Sequence, residues 1–139
     1  MIRFAGSIMC VIACIASLSC QSYTTGLQQS ASKVDETAAI ASLRTIGTAQ
    51  RSYSVSHEGD YGTFQQLCEG GYLDSRFNSS NPEVKGYALT MNVGEKTFSC
   101  NADPKIAGSQ PARHFYIDST SGEIHTNPSQ PATVADPGL

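Results

Sequence analysis

The spacing of apolar residues changes once along this chain, and that change restricts what it can fold into. Ala39, Ile40, Leu43, Ile46, Gly47, Gln50 and Tyr53 recur at a helical period of about 3.6 and share one face. Glu36, Arg44, Thr48 and Arg51 fall largely on the other faces. From Lys85 onward the period drops to two: Tyr87, Leu89, Met91 and Val93 alternate with Ala88, Thr90 and Asn92, the pattern of a half-buried strand. An amphipathic helix followed by half-buried strands predicts an α+β domain.

Local signals divide the rest of the chain. Ser32-Lys33-Val34-Asp35 has capping-box spacing and predicts the start of the long helix, which runs for about twenty residues to His57 with Gly59 as its stop. Thr63-Phe64-Gln65-Gln66 repeats that spacing and predicts a short second helix ending at Gly70-Gly71. Gly94-Glu95 turns the first strand into a second, with Phe98, Cys100 and Ala102 on one face. A loop containing Pro104 and Pro111 leads to a third strand, His114 to Asp118. Ser119 to Gly122 then turn the chain into a short fourth strand around Ile124. The expected domain spans 35–126, with one long amphipathic N-terminal helix, a short second helix and a small four-stranded antiparallel sheet. Residues 127–139 contain three prolines and almost no large apolar residue, and a disordered tail is expected there.

The beginning of the chain carries an address. Met1-Ile2-Arg3 is basic, and Phe4 to Leu18 form an uncharged apolar run of about fifteen residues, shorter than the roughly 20 a spanning helix needs. A short basic start, a short apolar stretch and an abrupt polar switch describe an export signal, residues 1–19. Ala16-Ser17-Leu18-Ser19 before Cys20 resembles a lipobox, which makes Cys20 the expected lipidation site. Cys14, after Val11-Ile12-Ala13, is the alternative, with a shorter apolar segment before it. A diacylglyceryl group, often with a further acyl chain such as palmitate, would hold the protein stably, because two or more chains anchor where one does so only marginally. Gln21 is not the Asp that commonly retains lipoproteins in an inner membrane, so the outer membrane is favoured where there are two. Residues 20–34 read as a flexible, lipidated tether, rich in Gln, Ser, Thr and Gly.

Of five cysteines, Cys10 and Cys14 lie in the leader and Cys20 is the lipid site. Cys68 and Cys100 remain as a pair in an oxidising compartment, and a disulfide between them is expected, two buried free thiols being the alternative. The formal net charge is −3, or −4 once Arg3 leaves with the leader. An acidic domain with scattered Lys and Arg has no footprint for nucleic acid, which is excluded as a partner.

Ala38-Ala39-Ile40-Ala41-Ser42-Leu43-Arg44-Thr45-Ile46-Gly47-Thr48-Ala49-Gln50 resembles the C-terminal half of the long helix of type IV pilins and type II secretion pseudopilins. Gly71-Tyr72-Leu73-Asp74 is similar to the family's turn after its short helix. Gly86-Tyr87-Ala88-Leu89, Phe115-Tyr116-Ile117-Asp118 and Gly122-Glu123-Ile124 are similar to its strands. The resemblance covers about Thr37 to His125 and implies a pilin-like head. Pilins also carry a prepilin leader cut before a long apolar helix that packs in the filament core. Here the polar segment after Cys20 takes that place, a departure that weighs against filament assembly.

No chemistry-bearing motif accompanies this plan. His57, His114 and His125 are too dispersed for metal-ligand spacing, although His114 and His125 approach each other if the last two strands pair. Asp118-Ser119-Thr120-Ser121-Gly122-Glu123 is oxygen-rich, and some pseudopilins bind calcium in a C-terminal loop. It lacks EF-hand spacing, however, and suits a hairpin turn. There is no Gly-x-Ser-x-Gly setting. The sequence therefore predicts no enzyme, no metal and no cofactor. It predicts an envelope lipoprotein with a pilin-like head acting as a structural or protein-binding module, the alternative being a noncanonical pilin or pseudopilin subunit. Expected partners are the membrane, through the lipid, and an envelope, pilus or secretion-system protein.

Overall fold

A computed structural model describes residues 19–105 and 112–139, with side chains from Ser32 onward. Residues 1–18 of the expected leader, with Cys14, the side chain of Cys20 and residues 106–111, with Pro111, lie outside the described residues. Helix α1 runs Ser19–Ser56 and helix α2 Phe64–Glu69, followed by a 3₁₀ turn, Ser75–Phe77. Five strands follow: β1 (Glu83–Val84), β2 (Tyr87–Gly94), β3 (Thr97–Pro104), β4 (His114–Asp118) and β5 (His125–Asn127). They form one antiparallel sheet in the order β1-β2-β3-β4-β5.

The sheet has one strand more than expected. The addition is β1, only two residues long, pairing Glu83 with Ala88 and Val84 with Tyr87. Two residues are too few to show an alternating pattern, which is why it is invisible to periodicity. The expected tether is helical as well: α1 begins at Ser19, so Ser32 lies within the helix and not at its start. Extending an established helix by one residue costs far less than nucleating one, and 20–34 contains no proline to stop it.

The second capping box is made as expected. The Thr63 hydroxyl accepts from the Gln66 amide, and the Gln66 side chain accepts from the Thr63 amide at 2.9 Å. At the end of α1 the Gly59 amide bonds to the Ser54 carbonyl at 2.8 Å, and Gly59 itself takes a φ of 88°. That left-handed backbone is one that glycine adopts without strain.

The core lies between α1 and the inner face of the sheet. Ala39, Leu43 and Ile46 from the helix meet Leu89, Cys100, Ala102, Phe115 and Ile117 from the strands, all buried. The helix approaches closely at Gly47, where a Cβ would lie 2.9 Å from the Ile117 Cδ1. Phe64, Leu67, Leu73 and Phe77 extend the same cluster beneath α2 and the 3₁₀ turn.

Two polar clamps fix the helix at either end of this contact. The Glu36 carboxylate accepts from the Arg113 amide (3.0 Å), Nε (3.2 Å) and Nη2 (2.9 Å), tying the helix to the chain entering β4. Gln50 is fully buried. Its Oε1 accepts from the Gly62 amide at 2.9 Å and its Nε2 donates to the Gly62 carbonyl at 2.6 Å, holding the α1–α2 connection against the helix. Replacing Gln50 by Leu strands two buried backbone groups. The expected cost is about 2–4 kcal/mol, seen as a lower urea midpoint with an unchanged slope.

The tail, expected to be disordered, is folded. From β5 it crosses the outer face of the sheet, where the Ala132 carbonyl accepts from Asn101 Nδ2 at 2.9 Å and Ala132 is buried. It then turns and runs back along the β5 edge. The Thr126 amide donates to the Pro137 carbonyl and the Leu139 amide to the Ile124 carbonyl, both at 2.9 Å. Hydrogen bonds, not apolar bulk, hold this segment, and hydropathy does not register them.

Candidate functional site

The residues singled out in the sequence do not converge on one centre. Cys68 lies half-buried in the last turn of α2, with its Sγ 3.2 Å from the Asp74 carbonyl, whereas Cys100 is wholly buried on β3 under α1. Both are free thiols, so the expected disulfide is not present in this structure. Burial raises the Cys100 thiol well above its ordinary value, with Asp103 adding to the effect. Cys68 is also raised, first by burial and then by Asp74 and Glu69. Neither environment favours the thiolate, which is the reactive form.

The histidines occupy three settings. His57, in the turn after α1, stacks on Tyr53 with ring centroids 3.7 Å apart, and Tyr72 meets Tyr53 edge-on at 5.4 Å. His114 Nδ1 is 2.6 Å from Asp103 Oδ1 across β3 and β4. His125 is buried and donates from Nδ1 to the Asp136 carbonyl at 2.7 Å. That leaves its Nε2 toward the Ser121 hydroxyl, at 3.5 Å. Pairing of β4 with β5 does bring His114 and His125 onto one face, but no group of three potential ligands is assembled among the described residues.

The oxygen-rich Asp118 turn is committed to its own backbone. Asp118 Oδ1 accepts from the amides of Thr120 and Ser121, at 3.0 and 3.1 Å, and Oδ2 accepts from the Tyr116 hydroxyl at 3.2 Å. Burial and the neighbouring Asp118 charge raise the Tyr116 hydroxyl above its ordinary value. At the Glu36–Arg113 clamp the Tyr87 hydroxyl, pushed up to about 12 by burial and by Glu36, donates to the Arg113 carbonyl at 2.9 Å.

A concave surface that the sequence did not indicate lies where the sheet is narrowest. Between β2, the start of α2 and residues 78–80 a groove of about 490 Å³ opens, within the range of roughly 300–1,000 Å³ typical of ligand clefts. Phe64, Met91 and Val93 supply its apolar surface. Thr63, Gln65, Asn78, Ser79 and Ser80 supply hydroxyl and amide groups, and no lining residue is charged. Its maker is the chain bend at 79–81, a tertiary event without a motif.

Compared with known proteins, the chain matches no family model, and no curated protein and no solved structure matches it significantly. No helix among the described residues is long and apolar enough to cross a membrane.

Two measurements check these environments. In residues 20–139 carrying Cys20→Ser, a thiol reagent should modify Cys68 slowly and Cys100 only after unfolding. Asp136 accepts from the Thr133 amide (2.8 Å) and from Asn127 Nδ2 (2.8 Å), and these bonds lower its carboxyl below the ordinary 3.8. A depressed folded value means that the ion stabilises the tail turn above pH 3.8 and that this support disappears as the pH falls through the lower folded value. The protection factor of the Thr133 amide, its exchange rate taken relative to the intrinsic rate at each pH, should therefore fall as the pH drops below 3.8, and Asp136→Asn should remove that dependence.

Proposed function

We propose that this protein is an exported envelope lipoprotein, anchored through Cys20, that presents a pilin-like head as a non-enzymatic structural or protein-binding module. The observation that carries the reading is the order and packing of the elements. One long helix lies across a single face of an antiparallel sheet, with a short helix and turn inserted between them. This is the plan implied by the pilin and pseudopilin resemblance of Thr37 to His125. The titratable side chains add support, since Glu36, Asp118 and His125 are each engaged in bonds that shape the fold. The lipobox-like run before Cys20 supports the address, and Gln21 supports the outer membrane where two are present.

One observation favours a second reading, a noncanonical pilin or pseudopilin subunit. Helix α1 continues back to Ser19, well beyond the stretch packed on the sheet, and a pilin packs its helical stem into a filament.

Membrane fractionation of a Cys20→Ser variant, with globomycin treatment of the parent, tests the first reading. The variant should move from the membrane to the soluble fraction. Retention in the membrane to the parental extent defeats the lipid anchor. Ordered filaments of purified protein under the electron microscope would favour the second reading over the first.

A further inference from the structure

The open side of β2 follows from where β1 stops. The Leu89 amide points away from β3, since it donates to the Pro82 carbonyl at 2.8 Å. Backbone groups on an antiparallel strand alternate in direction, so the amides and carbonyls of Met91 and Val93 also point outward. The pairing with β1 reaches only Ala88, and the bend at 79–81 carries the upstream chain away. No strand lies alongside Met91 to Gly94 on that side among the described residues. The neutral groove fills the gap, and Val93, 39% exposed, lies along it.

The opposite edge of the same sheet is treated differently. There the tail lies along β5, with its Pro137 carbonyl bonded to Thr126 and a bridge between His125 and Gly138. Covering one edge and blunting it with proline is how sheets avoid unwanted pairing. The β2 edge has neither device.

We propose that the β2 edge at Met91 and Val93 takes up an extended, uncharged peptide segment of another envelope protein, which continues the line of β1 as an added strand. This rests on the reading of the head as a protein-binding module. Outward amides and carbonyls two residues apart select an extended backbone, and pockets for alternate side chains then give specificity. Phe64, Met91 and Val93 favour an apolar side chain at alternate positions, and a lining without charge offers nothing to an ionic segment.

The chain's own segments are poor occupants. The described tail lies along the β5 side, three strands from β2. Lys105, at the exit from β3, lies at the other end of β2, where its amide bonds to the Gly86 carbonyl. A second copy meeting edge to edge has only Met91 to Gly94 to pair, about 13 Å of strand, little toward the roughly 1,000 Å² of a specific interface.

The mature chain carrying Cys20→Ser is panned with a displayed library of random seven-residue peptides, and enriched peptides are synthesised and titrated. Enriched sequences should be uncharged, with apolar residues at alternating positions. Val93→Pro removes an outward amide while sparing the bonds to β3, and should weaken binding about tenfold. Should that variant fold poorly, Val93→Lys keeps the strand backbone, puts a charge in the groove and should produce the same loss. Peptides that bind Val93→Pro or a folded Val93→Lys as tightly as the parent overturn strand addition but leave the binding-module reading standing. Absence of any enrichment, or a concentration-dependent dimer abolished by Val93→Pro, overturns the proposal. Fractionation of the Cys20→Ser variant decides the membrane address independently.

Discussion

The contact between α1 and the inner face of the sheet organises the remainder of the molecule. At Gly47 the helix backbone comes so close to Ile117 that a Cβ would crowd its terminal methyl. Leu43 and Ile46 exclude water on the helix side, and Cys100, Phe115 and Ile117 do so on the sheet side. Apolar burial supplies attraction without direction. Direction comes from the two polar clamps, Glu36 with Arg113 and Gln50 with Gly62, which set where along the sheet the helix rests. A buried amide satisfied on both its oxygen and its nitrogen tolerates little displacement, because each lost bond leaves a desolvated group behind. The connection through Tyr61 and Gly62, and with it α2, takes its position from Gln50.

What was legible in the sequence was what periodicity and capping express. The helix face from Ala39 to Tyr53, the Thr63 capping box and the alternation from Tyr87 to Val93 correspond to α1, α2 and β2. Gln50 was placed on the buried face by spacing alone, though nothing local told that it would bond Gly62. The misses have a common physical character. β1 is too short for a pattern, and the tail is held by Asn101 bonded to the Ala132 carbonyl and by the Asp136 carboxylate, which accepts from the Asn127 side chain and the Thr133 amide. The 20–34 segment shows the opposite bias, since its polar composition suggested a tether where the helix continues. Neither the groove at Met91 nor the separation of Cys68 from Cys100 could be read locally, because both depend on how α2 and the chain after it meet the sheet.

The outer face of the sheet carries a second, polar layer. Asn101, Tyr116, His125 and Asn127 reach the tail or the Asp118 turn through hydrogen bonds, while the inner face is apolar. A domain of this size has a limited interior, and covering the second face with a bonded tail extends the ordered structure without a second hydrophobic core. His125 is central to that layer. Its ring is buried against Tyr116 at 6.2 Å between centroids, and its Nδ1 holds the Asp136 carbonyl.

The end of β3 and the approach to β4 are each fastened to other elements. On one side Lys105 is held by the Gly86 carbonyl and by Glu83, and on the other Arg113 is held by Glu36 and Tyr87. The register of β3 against β4 is therefore set from outside the pair, by the helix and by the first two strands, so that a shift of either strand would have to break bonds to a third element.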